Sequence, residues 1–416
     1  MKYEELFANR QRLLLTQAPT TKAIFIAMVA VGVVGFLFGV LSPGSGKRAW
    51  ASLLLNAMFF YSLALGGVAF GNMQDVVGAL WGRPIKRIHE SFGCFLPWMS
   101  LVLAAFILAV RFDLADAGKV YSWVADPHIL DHFHGKDVWL QVDFMLVRDL
   151  LCLAVTYGLV RWHLGMTHTR DQLFMEGKQE QAQKYGEEVR QKLRHWSAPV
   201  MVVYSLCFSV ICFDLTMSLA PTWFSTLWAG WSFAIMMHIL MASTLLFLFF
   251  FKNRDMGQYI KRQQFHDIGK LLFGFTVFFA YLTYAHVLTY WYGNVPEETS
   301  YFHLRLEQPW KTMIMFSPLW WFFVPFISLI WKSSKWTTWV AIPVSVVVLC
   351  AQWFNYVLVV IPEVVPGTEW NGPWVELPIF VGCLGGFLWS LSSIWGKVPL
   401  LSVADPLLLQ YYDEAH

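Results

Sequence analysis

The stretch CFDLTMSLAPTWFST, Cys212–Thr226, separates two long apolar segments, Val200–Ile211 and Leu227–Phe251. It contains an ionisable residue, Asp214, at a position where the flanking sequence is too apolar for a soluble surface. Charged side chains at bilayer depth are costly, and they normally face a bundle interior, a partner or a water path. The stretch therefore predicts two membrane-spanning helices joined by a short turn, with Asp214 near the end of the first helix.

The composition of the whole chain extends this interpretation to all of its 416 residues. Hydrophobic residues make up 57% and charged residues only 14%, whereas an average soluble domain has about 25% charged residues. Many of the 22 tryptophans lie at the ends of apolar segments, where a membrane interface places them. The net charge of +2 gives no indication of nucleic acid. We therefore expect an all-α integral membrane protein forming a single polytopic domain, 1–416.

A membrane span needs roughly 20 apolar residues, and about ten segments of the chain qualify. They lie near residues 23–41, 50–70, 92–110, 142–164, 199–219, 228–251, 268–291, 313–331, 336–361 and 374–395. Lys and Arg residues divide unequally between the loops on the two sides, 22 against 7. Since the basic side is cytoplasmic, both termini are predicted to be cytoplasmic, which an even number of spans allows.

The longest cytoplasmic loop, 165–197, is predicted to contain an amphipathic helix. Glu180 with Lys184 and Glu188 with Lys192 form pairs four residues apart in the favourable order. Residues 185, 189, 193 and 196 form an apolar stripe at helical spacing. Such a helix would lie on the membrane or on a partner, and an ordinary surface helix explains the pattern as well.

Polar residues inside the predicted spans or at their ends are the candidates for a proton or quinol path, because titratable groups with hydroxyls and water can pass protons. The candidates are Asp214, His238, Arg148, Asp149, His286, Asn355 and Asp75. Each also has a structural interpretation. Asp214 could cap a helix end, Arg148 could tether two helices, and His238 could be a hydrogen-bonded packing residue.

Cofactor sites within the chain are not expected. The six cysteines all lie in apolar segments and show no CxxC spacing, which argues against c-type haem and iron–sulfur clusters of its own. His238 and His286 are predicted to differ in depth by roughly 7 Å, so they do not suit a shared haem. The loop 126–137 holds His128, His132 and His134, but their spacing is not that of a known zinc site; a solvated acidic loop that docks a partner is the alternative.

Three segments resemble one family of membrane proteins. They are FDLTMSLAPTWFSTLWAGW (213–231), HDIGKLLFGFTVFFAYLTYAHVLTYWYGNVPEET (266–299) and LLNAMFFYSLALGGVAFGNMQ (54–74), with Arg148 in span four. Together they resemble the NrfD/PsrC family of membrane anchors, and within it the ActF-type subunits of alternative complex III, a bacterial quinol-oxidising complex. At Ala220 and Thr222 the family usually has an acid and a histidine, so any role of those two side chains does not carry over.

The resemblance implies two four-helix bundles with two flanking helices in a bacterial cytoplasmic membrane. It implies a chain without a catalytic centre or cofactor of its own, which contributes a proton half-channel beside a quinol-oxidising paralogous NrfD-like subunit. Quinol, haem c and iron–sulfur clusters would then belong to partners. These are an iron–sulfur or molybdopterin-like peripheral subunit, multihaem cytochrome c subunits and a terminal oxidase, with lipids around them. The electron acceptor would be a cytochrome c or that oxidase.

Two further hypotheses stay open. The chain could be a purely structural anchor, whose polar residues hold helices together. It could also be a secondary transporter, although the prolines at 97, 325 and 343 do not pair up in two halves as broken transporter helices do.

Overall fold

The computed structural model describes residues 10–15, 18–130 and 135–414. Within these ranges the chain is helical, with no strand. The long helices are α1 Pro19–Leu41, α2 Gly46–Val76, α3 Arg83–Arg111, α4 Val142–Met175, α5 Gln179–Leu215, α6 Trp228–Lys252, α7 Arg262–Gly293, α8 Trp310–Leu329, α9 Thr338–Val364 and α10 Glu376–Trp395. A short terminal helix, α11, covers Pro406–Glu414.

Nine of the described helices are long and apolar enough to cross a membrane, which is the architecture of a multi-pass helical membrane protein. The tenth long helix, α4, starts where the fourth span was predicted but carries Asp143, Arg148, Asp149 and Arg161 within its apolar half. The prediction of an all-α membrane fold is confirmed at this level.

For description we take α2–α5 as a first group, α6–α9 as a second group, and α1 with α10 as a pair. In the first group α2 contacts α3 and α5, while α4 contacts α3 and α5. In the second, α6 contacts α7 and α9, while α8 contacts α7 and α9. Helix α2 also packs against α9 and α6, which joins the two groups. The remaining helices, α1 and α10, pack against each other along their length.

Two glycines explain the close packing of α1 on α10. A Cβ atom added to Gly32 would lie 2.5 Å from the Cα of Gly382, and one added to Gly382 would lie 2.6 Å from the Cα of Gly32. Only residues without side chains allow backbones to approach this closely, as small residues do at membrane helix interfaces.

The sequence analysis predicted a separate amphipathic helix in the segment 165–197. In the structure this segment instead extends α4 and α5. Residues up to Met175 extend α4, and residues from Gln179 onward belong to α5, which continues through Pro199 to Leu215. The reason is tertiary packing: Val189 and Leu193 are buried, and Gly186 lies against the carbonyl oxygen of Ala404. The extended hairpin of α4 and α5 is therefore held by the C-terminal segment.

The N-terminal and C-terminal segments lie on the same side of the molecule. The Leu15 amide donates to the carbonyl of Trp395 at 2.9 Å, and the Leu400 amide donates to the carbonyl of Leu13 at 3.1 Å. We call this side the terminal face, defined by residues 10–15 and 396–414, and the other side the opposite face. Asp214 lies at the opposite face, at the end of α5.

Candidate functional site

One face of α4 carries a buried polar side chain every seven residues. These side chains are Asp149, Thr156, His163 and Arg170, and none is more than 2% exposed. Seven residues make nearly two helical turns, so the four side chains share one face of α4. From Asp149 to Arg170 the helix rises by about 32 Å, which is comparable with a hydrocarbon thickness of about 30 Å. We call this face the α4 stripe.

At the opposite face, the stripe begins beside an ion pair between α4 and α5. Arg148 Nε donates to Asp214 Oδ2 at 2.7 Å, and Trp139 Nε1 donates to Asp214 Oδ1 at 2.8 Å. The Arg148 guanidinium lies over the Trp139 ring, 3.8 Å from its centroid. The Asp214 carboxylate is thus held by two side chains, while the Ser218 hydroxyl bonds the Asp214 carbonyl. The Ser218 hydroxyl, not the Asp214 carboxylate, satisfies this backbone group at the end of α5. The carboxylate is therefore available for the ion pair with Arg148.

A second carboxyl group lies directly against this ion pair. Asp149 is fully buried, and its carboxyl lies within hydrogen-bonding reach of Asp214. No nitrogen or hydroxyl donor of the described residues bonds either Asp149 oxygen. Two carboxyl groups beside one guanidinium are charge-balanced when they hold one proton between them. The pair Asp149–Asp214, which we call the carboxyl dyad, is therefore a candidate site for a shared proton.

Further along α4, hydroxyl groups continue the stripe. The Thr156 hydroxyl lies beside the Tyr61 hydroxyl of α2 and beside the Cys207 thiol of α5. Neither the Thr156 nor the Tyr61 oxygen has a well-aligned hydrogen-bond partner among the described residues. Cys152 lies between them and the dyad, next to Cys207 and close to Asp149. Unsatisfied buried hydroxyls of this kind are places where a water molecule can bind.

An apolar layer interrupts the stripe between Thr156 and His163. Val68 of α2 and Val160 and Leu164 of α4 all reach within 4 Å of the position that a Cβ on Gly93 would occupy. All three side chains are buried. We call them the valine layer. Of the two α4 members, Val160 lies between Thr156 and His163, and Leu164 directly follows His163.

On the terminal side of this layer, eight buried charges form one network. The acids are Asp75, Glu90, Asp171 and Asp405, and the bases are Arg83, Lys86, Arg87 and Arg170. The ion pairs include Lys86–Asp75 at 2.6 Å, Arg83–Asp75 at 2.7 Å, Arg87–Glu90 at 2.9 Å, Arg170–Asp171 at 2.8 Å and Arg87–Asp171. Four acids balance four bases, which is what makes burial of so many charges tolerable.

His163 connects the α4 stripe to this network. Its Nε2 lies 3.0 Å from Glu90 Oε1, and its Nδ1 has no partner among the described residues. Along α4, His163 lies next to the residues of the valine layer. His163 is therefore a candidate to exchange a proton with Glu90.

Asp405, from the C-terminal segment, completes the network. Its Oδ2 lies 3.2 Å from Arg83 and 3.7 Å from Arg170, and its Oδ1 accepts the amide of Leu407 at the start of α11. Burial opposes ionisation, but the Arg83 and Arg170 guanidiniums outweigh it and lower the pKa of Asp405. The surrounding segment 398–405 is buried throughout. The C-terminal segment thus covers the network from the terminal face.

Most residues of the network were missed by the sequence analysis. It placed residues 83–91 in a loop and ended span four at Leu164, so Glu90 and Arg170 were not considered. His163 lies inside that predicted span and was overlooked. Two signals were available. Lys86 and Arg87 stand four and three residues before Glu90, which is pairing geometry on a helix, and the seven-residue spacing along α4 was visible in the sequence.

His238 and Asn355, by contrast, lie in the second group of helices, apart from the stripe. His238 Nδ1 accepts from Gln352 Nε2 at 2.8 Å, and His238 Nε2 donates to the Thr276 hydroxyl at 3.0 Å. Asn355 contributes only a long contact of 3.5 Å to Gln352. Both ring nitrogens of His238 are used, so its structural interpretation as a hydrogen-bonded packing residue describes its contacts.

His286 lies near the opposite face in an aromatic cluster. Its ring centroid is 6.1–6.4 Å from those of Trp223, Trp228 and Trp231. Its Nε2 has no partner among the described residues. The cluster packs α6, α7 and the turn after α5 together, and His286 makes no described contact with the carboxyl dyad.

The acidic loop between α3 and α4 is only partly described, because His132 and His134 lie outside the described residues. Within the described part, His128 donates its amide to Asp126 Oδ1 at 3.1 Å. Among the residues that the structure describes, no group of three or more His, Cys, Asp or Glu side chains is arranged to hold a metal ion.

The fold and the site together define a multi-pass helical membrane protein with a buried polar stripe that ends in a carboxyl dyad and a charge network. No model of a known protein family matches the chain, and no curated protein shows significant similarity to it. The relation to the NrfD/PsrC family therefore remains a proposal.

Proposed function

We propose that this chain is an NrfD/PsrC-like, ActF-type integral subunit of a quinol-oxidising complex, and that it moves protons along the α4 stripe. The observation that carries the proposal is the stripe itself: titratable and hydroxyl side chains at seven-residue spacing, buried from one end of α4 to the other. A helix that only needed to pack would be stable with apolar residues there, since buried charges rarely add net stability.

The packing of the helices supports the layout that the family resemblance implies. In this proposal α2–α5 and α6–α9 are two four-helix bundles, and α1 with α10 are the flanking helices. All ten long helices, α4 included, cross the membrane. The contact partners of each helix and the hydrogen bonds between the two terminal segments agree with this layout. With the Lys and Arg distribution, the terminal face is cytoplasmic and the membrane is a bacterial cytoplasmic membrane.

In the proposed mechanism the carboxyl dyad exchanges protons with the opposite face. Arg148 keeps Asp214 ionised and oriented, and Asp149 holds the shared proton. The hydroxyls of Thr156 and Tyr61 carry it further with the help of water. The valine layer is the barrier to free leakage, and on its far side His163 and Glu90 exchange protons with the charge network. The chain supplies two half-paths, and opening of the valine layer connects them.

Quinol oxidation itself is assigned to a paralogous membrane subunit. Haem c, iron–sulfur clusters and the terminal electron acceptor are assigned to the other partners. In this proposal the role of this chain is to couple the reaction to proton movement.

Replacement of the dyad residues in the reconstituted complex tests the proposal. Asp214→Asn and Asp149→Asn should each lower proton release per quinol oxidised while the complex still assembles. Asp143→Asn is the matched control, because Asp143 is on the same helix but pairs with Arg111 at the exposed surface. Proton release by both dyad variants that equals that of the control would reject the role of the dyad.

The structural-anchor hypothesis predicts a different result. Its support is the charge network, in which all eight members are ion-paired, as expected of groups that fix helix positions. If the dyad variants fail to assemble, but keep normal proton release per quinol in whatever complex forms, the chain is an anchor. Copurification with multihaem and iron–sulfur subunits separates both hypotheses from a secondary transporter.

A further inference from the structure

A deep apolar cavity lies between the flanking pair and the rest of the molecule. Its volume is about 600 Å³, and its walls come from α1, α2, α6, α9 and α10. Along α10 the lining residues run from Phe380 to Trp395, a rise of about 22 Å. One leaflet of a bilayer is roughly 15 Å of hydrocarbon, half of the usual 30 Å. The cavity is therefore long enough to hold a chain that spans a leaflet.

The walls of this cavity are mainly apolar. Phenylalanine rings line it from four helices, among them Phe25 on α1, Phe59 and Phe60 on α2, Phe247 on α6 and Phe387 on α10. Its deep part offers Ser243 as the one hydroxyl among the lining residues there. A quinone ring needs hydrogen-bond donors for its carbonyl groups, whereas an acyl chain needs only apolar contact.

A single cation marks the mouth of the cavity at the terminal face. Arg254, just after the end of α6, is exposed and is the only charged residue among the described residues that line the cavity. Its guanidinium lies 4.1 Å from the ring centroid of Phe250, and Phe250 is 46% exposed. Arg254 has no ion-pair partner among the described residues, so its charge is available to a ligand.

We propose that the cavity binds an anionic phospholipid of the leaflet at the terminal face. One acyl chain fills the space between the phenylalanine rings, and Arg254 binds the phosphate. This assignment explains both the hydrocarbon walls and the position of the lone cation at the depth of the lipid headgroups. The lipid joins the pair α1 and α10 to α2 and α6, and this role is independent of proton movement along α4.

Lipid retention measured by native mass spectrometry tests the site. The protein is reconstituted into vesicles with equal amounts of phosphatidylglycerol and phosphatidylcholine plus a small amount of an isoprenoid quinone, and is then extracted in mild detergent. The wild-type protein should retain phosphatidylglycerol in preference to phosphatidylcholine. Arg254→Gln should lower that preference about fivefold, because one surface cation is worth about that factor in binding to anionic lipid.

Two further variants make the result specific. Lys252→Gln is the matched control, because Lys252 is an exposed cation two residues away that does not line the cavity; it should leave the preference unchanged. Leu384→Trp, which places a large ring inside the cavity, should abolish retention of both phospholipids. Equal loss in the two cation variants would show diffuse attraction to the surface and overturn the proposal. Retention of the quinone instead of phospholipid would also overturn it. Because Arg254 is exposed, its variant gives an answer even if the Leu384 variant does not fold.

Discussion

Removal of one charge from the buried network is the sharpest structural perturbation available. Asp405→Asn keeps the shape of the side chain and its acceptor for the Leu407 amide, but leaves three acids against four bases. Breaking a buried ion pair costs about 3–5 kcal/mol. Arg83 and Arg170 each keep a second acid, Asp75 and Asp171, so we expect the lower end, about 3 kcal/mol.

The free energy of unfolding, measured by SDS titration in mixed micelles with tryptophan fluorescence, checks this value. Asp413→Asn is the control, because Asp413 is exposed on the same terminal helix. The double variant Arg83→Gln/Asp405→Asn restores the balance of charges. It should be less destabilised than the sum of the single variants by about 1–3 kcal/mol, the coupling typical of groups in one network.

The pH dependence follows from the lowered pKa of Asp405. An acid whose folded-state pKa is depressed stabilises the protein above its unfolded-state pKa, and that contribution disappears as the pH falls through the folded-state value. The stability difference between wild type and Asp405→Asn should thus be constant at neutral pH and shrink below pH 3.8, the pKa of an unperturbed aspartate. A difference that is within 0.5 kcal/mol of the Asp413 control, roughly the range of an ordinary surface substitution, would refute the assignment of a balanced network.

Two other variants test the packing and the barrier. Gly67→Ala places a Cβ 2.3 Å from the His89 carbonyl oxygen and should destabilise the protein by about 1–3 kcal/mol, whereas Gly158→Ala, with open space around it, should not destabilise; equal effects in the same SDS titration would contradict the close contact of α2 and α3. Val160→Asn puts a polar group into the valine layer and should raise passive proton leakage in proteoliposomes, read with a trapped pH dye. Leakage no greater than that of Val160→Leu would show that this layer is not the barrier.

The amino-acid sequence by itself determined the class of the fold and the approximate place of each long helix. All ten predicted spans overlap long helices of the structure, because burying about 20 apolar residues in lipid satisfies the backbone only as a helix. Helix ends were less predictable: α4 and α5 extend well beyond the predicted spans. The C-terminal segment packs on this extension through contacts between residues more than 200 positions apart, such as Gly186 and Ala404.

For the candidate site, too, the sequence determined one part and the tertiary structure another. The sequence identified Asp214, Arg148 and Asp149 as intramembrane charges, and Asp75 as a polar residue at a span end, because charge is rare in apolar segments. Only the tertiary structure decided their partners. It joined Asp214 to Arg148, placed Asp149 against Asp214, and brought Asp405 to Arg83 from the far end of the chain. It also separated His238 from this site and satisfied its ring within another group of helices. Hydrophobic periodicity acts along one helix and can be read locally, whereas pairing of buried charges depends on which helices touch, and that is fixed by packing across the whole molecule.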